Sequence, residues 1–117
     1  MTYDGVIKNG TVIDPSQDLH ARRDVAIAGG RIVAVEEHVS DNDTHDVIEA
    51  DGLLVLPGLV DLHVHVWWGV AHLAIEADVH SLSRGATTII DAGSAGANTL
   101  AGFRRYVIDQ VDARTLA

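Results

Sequence analysis

The sequence predicts an α/β chain. Strands of a small antiparallel sheet or sandwich come first, followed by the first two β/α units of a (β/α)8 TIM-type barrel, incomplete in this chain. Three observations predict it. The first 56 residues are short β-rich runs punctuated by turn pairs. After Pro57-Gly58 the pattern becomes apolar strand, helix, strand, helix. A barrel built this way needs roughly 250 residues, and the stretch from Pro57 to Ala117 supplies about a quarter of that.

The elements follow in order. YDGVIKNGTVID holds Asn9-Gly10 between two β-rich runs, a hairpin signal. Asp14-Pro15 breaks the second run. DVAIAGGRIVAVEEHV repeats the arrangement around Gly29-Gly30, and VIEADGLLVLPG repeats it around Asp51-Gly52. The stretch SDNDTHD, 40–46, reads as a polar loop. Beyond Pro57-Gly58, LVDLHVHV is strand-like, and AIEADVHSLSRG is a helical segment with Gly85 as its C-cap. TTIIDAGSAG is a second buried strand running into a small-residue loop. NTLAGFRRYVIDQVDAR places Leu100, Phe103, Val107, Ile108 and Val111 on one helical face, with Asn98 or Thr99 as N-cap. RTLA resembles the entry to a third strand. Strand–helix alternation is the pattern of a parallel sheet with crossovers. Two such units cannot close a barrel, and their strands would keep unpaired edges. The expectation is therefore the N-terminal piece of a longer enzyme; the alternative is a complete small α+β domain.

Composition narrows the chemistry. The chain has 117 residues, a net charge of -9, a single lysine (Lys8) and no cysteine. Without a basic stripe there is nothing to neutralise phosphates, so nucleic acid is not an expected partner. Without cysteine, thiolate zinc sites and thiol nucleophiles are excluded, and a metal must be held by His, Asp, Glu or a modified side chain. MTYDGVIKNG lacks the basic and apolar regions of a signal peptide. The longest apolar stretch is interrupted by Pro57, Gly58, Asp61 and two histidines, so no membrane contact and a cytoplasmic location are expected.

His63 and His65 stand two apart at the end of an apolar strand. On a strand they share one face, with Cα atoms about 7 Å apart. Imidazoles at that spacing can converge on one divalent ion at Zn–N distances of about 2.0–2.1 Å. The pattern alone is weak, since many histidines are merely solvated or hydrogen-bonded. Its place at the end of a parallel strand, where a barrel puts its chemistry, strengthens it. Asp61 lies two residues earlier and either orients a ligand from behind or bonds to backbone.

The run Pro57-Gly58-Leu59-Val60-Asp61-Leu62-His63-Val64-His65 resembles the first barrel-strand signature of the amidohydrolase superfamily. IKNGTVIDP and VAIAGGRIVAV resemble that family's sandwich strands, and RGATTIIDAGSAG its second barrel strand. DAGSAG followed by GFRRYVID is most similar to the dihydroorotase-like amidohydrolase/deacetylase group. The resemblance implies β-sandwich strands over 1–56 and the start of a metal-dependent hydrolase barrel over 57–117. It implies one or two divalent ions, Zn2+ by expectation, with His63 and His65 as ligands of the more buried one. It implies further ligands beyond Ala117: a carboxylated lysine or a glutamate, two histidines, and an aspartate acting as general base. The implied reaction is hydrolysis of an amide or ester by metal-activated water, as in a deacetylase. Cyclic amidase and deaminase reactions use the same ligands. The 117 residues alone are expected to be inactive, and a catalytically silent structural fragment is the reading from a different class. A small-molecule substrate is the expected partner, with homo-oligomers compatible.

Other residues are weaker candidates. Trp67 and Trp68 follow the metal strand and either wall an apolar substrate or pack beneath the loop. His72 lies in a loop over the barrel mouth and is a candidate substrate contact. Asp91 ends the second strand and either lines the substrate site or caps the Gly93-Ser94-Ala95-Gly96 turn. A four-histidine zinc cluster of His63, His65, His72 and His80 matches no familiar spacing. His20, His38 and His45 are expected in solvent. Ser94 has no evident base beside it, so a serine nucleophile is rejected.

Overall fold

A computed structural model describes residues 2–40 and 44–117. Its chain is a mixed α/β arrangement made mostly of strands, and it divides into two compact units, Met1–Pro57 and Gly58–Ala117.

The first unit is one five-stranded sheet. Strand β1 (Tyr3–Asp14) lies between β2 (Leu19–Ala28) and β4 (Thr44–Glu49), with β3 (Arg31–Glu36) outside β2 and the short β5 (Leu54–Val55) also paired to β1. β1 buries Val6, Lys8, Gly10 and Val12, every second residue, as a strand with one covered face should. Val6, Ala26 and Val39 form the buried core of this unit, with Tyr3 and Ala34 packed on it.

Four sequence expectations change here. Asn9-Gly10 is not a hairpin turn. β1 runs straight through it with a register shift against β2 between Ile7 and Gly10, and Asn9 takes a left-handed φ of 64°. The same conformational freedom that suits a turn serves a bulge instead. Tertiary partners decide between them: the Asn9 amide donates to Asp24 Oδ1 at 2.8 Å, and its side chain donates to the Glu49 carboxylate at 3.0 Å. A Cβ at Gly10 would collide with Val55. Asp51-Gly52 is not a hairpin either, because β4 and β5 both run parallel to β1 and the turn only steps between them. The sheet is therefore mixed rather than antiparallel. The polar stretch 40–46 is also only partly a loop. Residues 41–43 lie outside the described residues, whereas Thr44 and Asp46 pair with Tyr3 and Gly5 in β4. Gly29-Gly30 is the two-residue hairpin turn expected, with φ of 58° and 69°. The β1–β2 reversal falls at Asp14-Pro15, where a 3-10 turn over Pro15–Gln17 is capped by Asp14.

Buried in this sheet is an ion pair. Lys8 Nζ donates to Asp24 Oδ2 and to the Val39 carbonyl, both at 2.6 Å. The Val39 amide donates to Asp24 Oδ2 at 3.0 Å. Burial by itself would push the Asp24 carboxyl up. The bonds from Lys8, Asn9 and Val39, together with the lysine charge, outweigh it and bring the pKa from 3.8 down to about 2. A depressed folded pKa stabilises the fold above the unfolded value and is lost as pH falls through the folded one. We expect roughly 2 kcal/mol of stability to disappear between about pH 4 and pH 2. Urea unfolding across that window reads it directly. A slope that persists undiminished in Asp24→Asn would assign the loss to other carboxylates.

The second unit is a parallel sheet in the order β6 (Leu59–Val64), β7 (Ala86–Asp91), β8 (Arg114–Leu116). The RTLA segment is the third strand expected. The β6–β7 connection holds the one-turn helix α1 (Ala77–His80) and a 3-10 turn over Leu82–Arg84, closed by Gly85 at φ 90°. The β7–β8 connection holds α2 (Leu100–Phe103), which continues as a π-helical turn over Arg104–Ile108. Thr99 occupies the N-cap position, but its hydroxyl bonds Gly96 instead of capping the helix. Asp78 in α1 accepts the Asp112 and Ala113 amides at 3.0 and 2.9 Å, tying that helix to the start of β8. Val64, Val66, Ala77, Ile89, Phe103 and Ala113 form the core, with Val107, Ile108 and Val111 packed against it. Phe103, Val107 and Ile108 of the expected helical face are buried or partly buried, but the helix ends at Ile108, so Val111 packs from the segment beyond it, and Leu100 is 45% exposed. Gly58 starts the unit, where a Cβ would collide with Thr87. Among the described residues no helix is long and apolar enough to cross a membrane.

Candidate metal centre

The site begins with an alternation at the outgoing end of β6. Val64 and Val66 are 7% and 1% exposed and enter the core. His63 and His65 take the other face, His63 exposed and His65 partly buried. Apolar burial of the valines therefore aims the imidazoles. Between Asp61 and Val64 the pairing with β7 shifts register, since Asp61 pairs with Ile89 and Val64 with Asp91. One residue of β6 is extra there, which leaves an amide without its ladder partner. Asp61 supplies the acceptor: its Oδ1 takes the His63 N–H at 3.0 Å. The carboxylate thus sets the backbone of a candidate ligand rather than its ring.

The two imidazoles lie with centroids 5.5 Å apart and planes at 83°. With Zn–N near 2.1 Å and tetrahedral angles, two rings on one ion put their centroids about 5 Å apart. The separation fits a shared divalent ion, and nitrogen donors suit zinc. They are two donors only. Among the described residues no group of three His, Cys, Asp or Glu side chains could hold an ion. The residues present fit half of a catalytic zinc site, which takes about three protein ligands and an open position.

The loop after β7 completes the local arrangement. Asp91 is 5% exposed, and both its oxygens are engaged. Oδ2 accepts the Val66 amide at 2.8 Å, and Oδ1 accepts those of Gly93 and Ser94 at 3.0 and 2.6 Å. Asp91 therefore caps the glycine turn and pins it to the end of β6. Ser94 Oγ then lies 3.0 Å from His65 Nδ1. The expectation that Ser94 has no base beside it is corrected, because parallel pairing of β6 with β7 joins residues 29 apart in sequence. The available signal is that His65 directly follows β6 while Ser94 lies three residues beyond the end of β7, the adjacent parallel strand.

The weaker candidates are placed as follows. Trp67 lies against Phe103, centroids 5.3 Å apart, and belongs to the packing of this unit. Trp68 is 62% exposed and borders a hollow of about 280 Å3 with Val66, Tyr106 and Val111. His72 and His80 are exposed and join no cluster among the described residues. The larger hollow, about 650 Å3, lies on the apolar face of the first unit beside Ile7, Val25, Ile27 and Val33. Neither hollow is lined by His63 or His65.

The chain belongs to the amidohydrolase superfamily. A deacetylase of Agrobacterium fabrum is 41% identical over 87 residues, 74% of this chain and 21% of the relative. A dihydroorotase of Streptococcus thermophilus is 47% identical over 60 residues, 51% of this chain and 14% of the relative. The chain thus spans about a fifth or less of the curated relatives it matches. No family model matches. Among solved structures, a dihydroorotase superposes with a TM-score of 0.79 at 34% identity, covering 95% of this chain and 29% of that one. An adenine deaminase gives 0.77 at 29% identity, covering 97% and 29%. An N-acyl-D-glutamate deacylase of Bordetella bronchiseptica, complexed with zinc, gives 0.62 at 26% identity, covering 78% and 19%.

Proposed function

We propose that this chain supplies the first two ligands, His63 and His65, of a metal-dependent amidohydrolase that removes an acyl group from a small amide or ester. In this reading β6 and β7 are the first two strands of a (β/α)8 barrel. The remaining ligands and the general-base aspartate lie outside the 117 residues. The observation that carries the reading is the pair of imidazoles 5.5 Å apart on one face at the outgoing end of a parallel strand. Zinc is the ion proposed, supported by the zinc-complexed deacylase structure. What such an ion supplies is Lewis acidity, lowering the pKa of water and polarising the acyl carbonyl. The chain's own part is to hold and aim. Val64 and Val66 anchor the strand, Asp61 fixes the His63 backbone, and Asp91 fixes the loop beside His65.

The deacetylase relative's longer alignment, 87 residues against 60, supports deacylation; opening of a cyclic amide is the second reading, supported by the dihydroorotase that superposes with a TM-score of 0.79. A small molecule is the proposed partner and the cytoplasm the proposed location. The test is metal removal from the intact enzyme. Chelation should abolish hydrolysis of N-acetyl amino acids, and added Zn2+ should restore it. Full activity in metal-free protein would sink the reading. Turnover of dihydroorotate but not of N-acetyl substrates would move it to the cyclic amidases.

A further inference from the structure

We infer that Ser94 is a positioning residue for His65, holding its imidazole through Nδ1 so that Nε2 is the nitrogen presented to the metal. The inference rests on the reading of His65 as a ligand. Three features of the second unit carry it. The Ser94 hydroxyl is 3.0 Å from Nδ1, and both residues are partly buried, so the contact is only partly open to water. The ring nitrogen that bonds a second group decides which nitrogen is left for a metal, and fixes the ring's rotation. With Nε2 on the ion, neutral His65 carries its proton on Nδ1 and donates it to Ser94 Oγ.

The third feature is the support beneath the hydroxyl. Asp91 accepts the amides of Val66, Gly93 and Ser94, so one buried carboxylate fixes both the end of β6 and the loop that delivers Ser94. Gly93, at φ 98°, gives that loop its left-handed step. The loop is held through backbone amides, which survive any change of the Ser94 side chain. A serine nucleophile would use the same contact differently. It needs its histidine oriented by a third group, and among the described residues no carboxylate bonds His65.

Zn2+ affinity of the intact enzyme, measured against a competing chelator, tests the inference in Ser94→Ala, Ser94→Thr and His65→Ala. Ser94→Ala is expected to weaken Zn2+ binding roughly 10–100-fold, with the melting temperature of the metal-free protein unchanged. Ser94→Thr, which keeps the hydroxyl, is expected to restore affinity. Wild-type affinity in Ser94→Ala beside a large loss in His65→Ala would overturn the positioning role alone. So would loss of activity in Ser94→Ala with metal fully retained, or failure of Ser94→Thr to rescue. Wild-type affinity in His65→Ala would overturn the ligand reading, and this inference with it.

Discussion

His63→Ala in the intact enzyme is expected to strip the metal and leave no measurable hydrolysis. The ring is held by a strand whose flanking valine is in the core, and its amide is taken by Asp61 at 3.0 Å. Removing the imidazole therefore deletes a donor without unravelling its support. Loss of a supporting contact around a metal ligand typically costs roughly 10–100-fold in affinity, and loss of the ligand itself should exceed that. Because His63 is exposed, truncating it opens no cavity, and the melting temperature of the metal-free protein should stay at the wild-type value. Metal content by elemental analysis is the deciding measurement. An unchanged metal-to-protein ratio in His63→Ala refutes the assignment, whatever happens to activity.

The largest stability effect is expected at the Lys8–Asp24 pair. Asp24→Ala leaves a buried ammonium with only the Val39 carbonyl for a partner and two amides without an acceptor. Breaking a buried pair from one side costs about 3–5 kcal/mol. Lys8→Met should cost less, because the Asn9 and Val39 amides still serve the carboxylate. Lys8→Met combined with Asp24→Leu should recover part of the loss, since replacing both partners removes the stranded charge. Urea unfolding of the three variants reads this order. A cost below about 1 kcal/mol for Asp24→Ala would show that water reaches the ammonium, against its burial here.

How much of this is legible in the residues alone depends on the range of the forces involved. The second unit follows local grammar. Its apolar runs, its helical face of Phe103, Val107 and Ile108, and Gly85 at the end of a turn are all patterns within a few residues. The histidine pair is legible for the same reason, because a two-residue spacing fixes which face a strand presents. The first unit misleads where a local signal has two uses. Asn9-Gly10 permits a left-handed backbone, but whether that becomes a turn or a bulge is decided by Asp24, Glu49 and Val55, which lie far along the chain. Asp51-Gly52 misleads likewise, because pairing of β4 and β5 with β1 is non-local. Ser94 and His65 meet only through β6–β7 pairing, and nothing near either residue announces the other.

Lys8 is the only lysine in the chain, and its side chain is 9% exposed. Within these 117 residues no lysine side chain is therefore open to acylating reagents, cross-linkers or a lysine-specific protease. Each of those probes reaches Lys8 only when the sheet around it opens. The single buried amine is thus a built-in clock: the rate at which it is labelled or cut reports how often the first unit comes apart.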